Sequence, residues 1–164
     1  MRVQLEESMY QILARKFGVA VESYVKELLE RYAEEGIKIE IWDDDKGTFL
    51  LGTLKKLEIT PRRVIRRDEA IRKYGIKGDF DLLIESEEGL IIVEVKTSGT
   101  SVKEDDIEQL KRIANQINGR AIIVVIEPKN IRIPIITLST KLGIAILTNE
   151  ALKLLAKKIG FVHW

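Results

Sequence analysis

The stretch Asp79-Phe80-Asp81-Leu82-Leu83-Ile84, Glu85-Ser86-Glu87-Glu88-Gly89, Leu90-Ile91-Ile92-Val93-Glu94-Val95-Lys96 decides how this chain folds. Two strongly apolar, β-branched runs flank a short polar segment with a glycine, which is the pattern of a β-hairpin. Closure about Glu87-Glu88 sets Asp81 opposite Glu94 and Asp79 opposite Lys96. Side chains alternate along a strand, so Glu94 and Lys96 share a face, as do Asp79 and Asp81. Facing residues of an antiparallel pair have Cβ atoms about 4.5–5.5 Å apart. Two carboxylates that close repel each other unless a cation lies between them. A divalent metal is the natural occupant, with Lys96 one step further along.

An Asp facing a Glu-x-Lys on a hairpin resembles the PD-(D/E)XK nuclease superfamily. Gly78-Asp79-Phe80-Asp81-Leu82-Leu83-Ile84 is similar to its first motif, and Ile92-Val93-Glu94-Val95-Lys96-Thr97-Ser98 to its second. The Pro of the superfamily's name is absent. The resemblance implies an α/β fold with a restriction-endonuclease-like core, a mixed central sheet flanked by helices. It also implies Mg²⁺ (or Mn²⁺) held by Asp81, Glu94 and the backbone carbonyl of Val95, with Lys96 assisting attack on a phosphodiester. Asp79 would tune Lys96 across the hairpin or serve as an extra ligand. Against this stands a bland alternative: Glu-x-Lys is common on any solvated sheet face. The facing Asp, the apolar surroundings and a helix pattern after the hairpin make the combination sharper than the motif alone.

The chain has 164 residues, which suits one domain that buries a substantial core. Hydrophobic residues make up 45% and charged residues 32%, the latter above the usual figure. Cys is absent, Gln and Asn are scarce, and Ile, Lys and Glu are plentiful. That bias resembles thermophile surfaces, rich in ion pairs and poor in thermolabile side chains. It points to a thermophilic prokaryote, an archaeon or its virus, and to the cytoplasm, since zero cysteines rule out disulfides and thiolate metal sites. The N-terminus lacks a secretory signal pattern, and no apolar run approaches the length of a membrane span. Net charge is +1, so nucleic-acid binding would need a local basic patch.

Residues 4–35 are helical in pattern, with a break or bend expected at Gly18. Val21, Tyr24, Val25, Leu28, Leu29 and Tyr32 form one stripe at helical spacing, and Gly36 reads as a stop. Residues 37–42 alternate like a strand, and 43–47 form a polar, solvated turn without calcium-loop spacing. Thr48 to Leu57 is expected to pair with the preceding strand. Pro61 to Tyr74 reads as a helix or an irregular insert. After the hairpin come a helix over Lys103–Ile117, a fully buried strand over Arg120–Ile126, a crossover at 131–142 interrupted by Pro134, a strand at 143–147 and a C-terminal helix from Glu150. The expected organisation is one domain: a helical extension (1–16), a core (17–147) and a terminal helix (148–164).

Gly18-Val-Ala-Val-Glu22, a Leu-bearing helix and then Gly36 resemble the first-helix pattern of the archaeal Holliday-junction-resolvase-like branch. In that branch the helix Glu reaches toward the metal, which singles out Glu22; an ordinary surface Glu is the equal alternative. Gln109 resembles only loosely a Gln that related nucleases place near the site. Thr97 and Ser98 are positioned to donate to a phosphate. Arg62, Arg63, Arg66 and Arg67, with Lys103, Lys111 and Arg112, are the basic groups nearest the site in sequence. Such a run is either a solvated face or a phosphate contact. His163 reads as incidental, and Trp42 and Trp164 as packing groups.

These observations lead to the expectation of a metal-dependent DNA endonuclease, acting on branched or structured DNA as a homodimer. Two other readings stay open: a non-catalytic nucleic-acid-binding relative of the same fold, and a binding domain with a chance Glu-x-Lys.

Overall fold

The computed structural model describes the backbone of residues 2–161 and the side chains of residues 18–161, so His163 and Trp164 lie outside the described residues. In chain order the elements are α1 (Arg2–Glu35), β1 (Ile39–Trp42), β2 (Lys56–Ile59), β3 (Pro61–Arg66), α2 (Arg67–Tyr74), β4 (Leu82–Ser86), β5 (Gly89–Ser98), a 3₁₀ turn (Gly99–Ser101), α3 (Glu104–Gln116), β6 (Arg120–Glu127), α4 (Ile133–Leu142), β7 (Ala145–Thr148) and α5 (Asn149–Lys158). The fold is mixed α/β. The main sheet has five strands in the order β3-β4-β5-β6-β7. β3, β4 and β5 run antiparallel, whereas β6 and β7 lie parallel to β5. β1 and β2 form a separate antiparallel pair.

Both faces of the main sheet are covered. On one, Val21, Leu28 and Tyr32 of α1, the β1–β2 pair and α5 pack on Leu82, Ile84, Val93 and Val124. On the other, α2, α3 and α4 pack on Leu83, Ile92, Ile123 and Val125. Six successive residues of β6 are therefore buried, and the strand reads as an unbroken apolar run.

Several sequence expectations are corrected. α1 runs from Arg2 to Glu35 without a break at Gly18. A helical glycine costs only about 1 kcal/mol against alanine, less than the packed stripe after it supplies. Pro61–Tyr74 is not helical throughout: Pro61–Arg66 is strand β3, and only Arg67–Tyr74 forms the expected helix, α2. Val64 and Ile65 point to opposite faces and are both buried, so β3 lacks a readable alternation. Its leading proline, its arginines and the register shift between Pro61 and Arg63 suit an edge strand, where they discourage pairing with other chains. Within 48–57 only Lys56 and Leu57 join β2, while Leu50 bridges Ile146 and covers the outer edge of β7. Pro134 does not interrupt α4; it sits in its first turn, where a missing N–H costs nothing. Trp42 is not a packing group: it is 62% exposed, with the Lys56 ammonium 4.7 Å from its ring centroid.

Candidate active site

The hairpin closes in the register read from its pattern, from Leu82 opposite Val93 to Ser86 opposite Gly89. β5 outruns its partner. β4 begins only at Leu82, whereas β5 continues to Ser98 and beyond Val93 is paired on one side alone, by β6. Asp81 occupies the edge left open. Its N–H donates to the Val93 carbonyl at 3.1 Å, and its Oδ2 accepts the Val95 N–H at 2.7 Å. The N–H and C=O of one strand residue point to the same edge, so the Val95 carbonyl opens into this notch beside the Asp81 carboxylate.

Glu94 and Lys96 alternate with Val93 and Val95 and so project toward the α3 side. Burial pushes the Glu94 carboxyl up to about 9. Asp81 adds to the rise as hydrogen-bond partner and as like charge, and Asp79 as a further charge, while Lys96 opposes it. Glu22 approaches from α1. Its carboxyl is also raised, first by burial and then by the charge of Asp81, with Arg66 and Arg67 pulling the other way. Asp81 thus raises the carboxyls of both Glu22 and Glu94, which come from two different elements. Among the described residues no three His, Asp or Glu side chains are gathered into a ready metal cage. The donor chemistry itself, carboxylate oxygens with a free carbonyl, is of the kind hard divalent cations take.

Lys96 is held by a residue the sequence did not single out. Its Nζ lies 3.6 Å from Asp106 Oδ2 in the first turn of α3, and the same oxygen accepts the Lys103 N–H at 2.9 Å. The one available signal was an acidic residue at the third position of a helix, a common capping feature with no tie to Lys96.

Asp79 is a correction. It does not face Lys96 across the hairpin, because residues 76–81 leave the strand; Asp79 is exposed and pairs with Arg67. The cause lies at Gly78, whose φ is 138° and whose position leaves no room for a Cβ, which would stand 2.5 Å from Ile113 Cδ1. Only glycine lets the chain pass that close to α3. Gln109 faces the same segment, its Nε2 3.9 Å from that Cβ position. Thr97 turns toward α1, with its Cγ2 4.0 Å from where a Cβ of Gly18 would stand. The Ser98 hydroxyl is engaged by Thr100 at 3.1 Å.

The basic residues divide. Arg66 ends β3 opposite Leu82, and Arg67 begins α2, so both flank the notch. A shallow groove of about 360 Å³ beside them gathers Arg63, Arg66, Arg72 and Lys26, the last one turn beyond Glu22 on α1 and not among the basic groups expected from sequence. Arg63 is paired there with Glu69 at 2.6 Å. Arg62 lies at the other end of β3, 3.6 Å from Glu87 at the hairpin turn, and is not near the notch. Lys103 adjoins the Lys96–Asp106 pair through its N–H. Lys111 is half-buried at the flank of the buried stripe of α3 (Ile107, Leu110, Ile113 and Ala114), and Arg112 is exposed on the side away from it. No family model, no curated protein and no solved structure matches the chain.

Proposed function

We propose that the chain is a metal-dependent deoxyribonuclease of the PD-(D/E)XK type, built on a restriction-endonuclease-like core. One observation carries this reading: at the open edge of β5, Asp81 lies against Glu94 and the free Val95 carbonyl, with Lys96 two residues further along the same strand. A structural pair of acids has no need of that arrangement. Two carboxyls in contact, one of them driven to hold its proton, are costly to bury. Groups perturbed in this way cluster at functional sites.

Asp81, Glu94 and the Val95 carbonyl would hold Mg²⁺ or Mn²⁺, with Glu22 placed to reach the same group through Asp81. Such a cation supplies charge for a phosphoryl oxygen and acidity for an attacking water. Lys96 would donate to the charge developing on the phosphoryl oxygens, held at its post by Asp106. Arg66 and Arg67 hold the phosphate backbone beside the notch, which provides the local basic patch that a net charge of +1 requires.

The test is cleavage of labelled single-stranded, duplex, flap and four-way-junction DNA with Mn²⁺, Mg²⁺ or EDTA. Metal-dependent cutting lost in Asp81→Ala and Glu94→Ala is the expected result. Cutting that survives EDTA, or no cutting of any substrate by protein that binds Mn²⁺, would overturn the nuclease assignment.

A further inference from the structure

The segment that carries Asp81 into the notch runs along α3. Gln116, the last residue of that helix, takes hold of it at Lys77. Its Oε1 accepts the Lys77 N–H at 2.8 Å, and its Nε2 donates to the Lys77 carbonyl at 2.6 Å. One side-chain amide thereby engages both backbone groups of one residue, as a facing residue does in an antiparallel ladder. Asp106, Gln109, Ile113 and Gln116 follow at intervals of three, four and three residues, so they share one face of α3.

That face touches both arms of the site. Asp106 holds Lys96 at its N-terminal end. Ile113 and Gln109 meet the chain at Gly78, and Gln116 meets it at Lys77. Ile76 and Phe80 anchor the same segment by burial in the core cluster of Ile107, Leu110 and Ile113. Apolar burial is non-directional: it fixes the depth of the segment and leaves the rotation of its backbone free. Hydrogen bonds are directional. Among the described residues, no hydrogen bond other than those of Gln116 engages the backbone of residues 76–80.

We infer that Gln116 is a positioning residue for the Asp81 carboxylate. By fixing the peptide groups of Lys77, it sets the direction in which residues 78–80 leave α3, so that Asp81 reaches the Val95 N–H with its carboxylate turned into the notch. The same helix face holds Lys96 through Asp106, and α3 thereby sets the spacing between Asp81 and Lys96. The placement of Asp81 stands on its own contacts; its use in holding a metal rests on the nuclease reading.

The experiment is amide hydrogen exchange at Val95, whose N–H reports where the Asp81 carboxylate stands, beside calorimetric Mn²⁺ titration. Gln116 is exposed, and Gln116→Met keeps its length without either hydrogen bond. In this variant Val95 should exchange at least about threefold faster relative to Val124 of β6, and Mn²⁺ should bind at least about threefold more weakly. Gln116→Glu keeps the acceptor for the Lys77 N–H and should fall between Gln116→Met and wild type. Lys77→Ala leaves the backbone in place and should match wild type in both measurements. Unchanged Val95 exchange in Gln116→Met, equal acceleration at Val95 and Val124, or the same effect from Lys77→Ala would overturn the inference. Wild-type protein that binds no Mn²⁺ would instead remove the metal reading, and the exchange at Val95 would still decide the role of Gln116.

Discussion

The Asp81 carboxylate accepts the backbone N–H of Val95 at 2.7 Å, in the place where a longer β4 would have supplied a carbonyl. One side chain thereby ends the pairing of β4 with β5 and places an acid against Glu94. Any replacement of Asp81 touches both roles, and the two can be separated. Asp81→Asn keeps an acceptor for the Val95 N–H and loses the charge. It should melt within about 1 kcal/mol of wild type yet bind Mn²⁺ at least tenfold more weakly. Asp81→Ala loses both and should also melt lower. Calorimetric metal titration beside thermal unfolding checks the pair; an Asn variant with unchanged Mn²⁺ affinity would remove Asp81 from the metal site.

The raised carboxyl of Glu94 makes a prediction about pH in metal-free protein. Its folded value is about 9, against about 4.3 for an unperturbed Glu. The folded state thus keeps a proton that the unfolded chain releases. That contribution is whole below the unfolded value and is lost as pH rises toward the folded one. Glu22 is shifted in the same direction and adds the same sign. In EDTA, Glu94→Gln should therefore melt above wild type near pH 8, and the gap should close as pH falls toward about 5. A gap that does not change with pH would mean that Glu94 is ionised in the fold.

Lys96 and Asp106 should behave as a positioned pair. Lys96→Ala should keep metal and DNA binding and cut at least about 10²-fold more slowly. Asp106→Asn preserves an acceptor for the Lys103 N–H but not the ion pair. It should lower kcat about tenfold while KM and melting stay near wild type. If Asp106→Asn changes melting and not kcat, Asp106 serves only to cap α3.

The two ends of β3 predict different salt behaviour. Replacing Arg66 and Arg67 by Ala should flatten the slope of log affinity against log salt by roughly 0.9 for each phosphate that is no longer neutralised. Arg62→Ala, at the hairpin turn, should leave it unchanged. Fluorescence anisotropy on one duplex at several salt concentrations compares them, and equal slopes for all variants would exclude this face from DNA binding.

Gly78→Ala tests the close approach to α3. The added methyl would press on Ile113 in a backbone region that side chains rarely adopt. Lower thermal stability and a loss of Mn²⁺ affinity should appear together, because Gly78 sets the path of residues 79–81. Reduced stability with intact metal affinity would show that Asp81 is held by Val95 alone.

The hairpin, its register and the pairing of Asp81 with Glu94 were legible in the chain itself. They rest on period-two alternation and a turn, which are local and depend on few distant residues. The stripe of α1 and the buried run of β6 were legible for the same reason. What lay outside local pattern was decided by tertiary structure. β3 was hidden because both its faces are buried and arginines occupy its edge. Asp79 turned away because Gly78 packs on Ile113, which lies 35 residues further along the chain. Asp106 reached Lys96, and Glu22 reached Asp81, only once α3 and α1 were laid on opposite faces of the sheet. Hydrophobic periodicity states which face of an element is buried; it carries no information about which polar side chains meet where two such elements end.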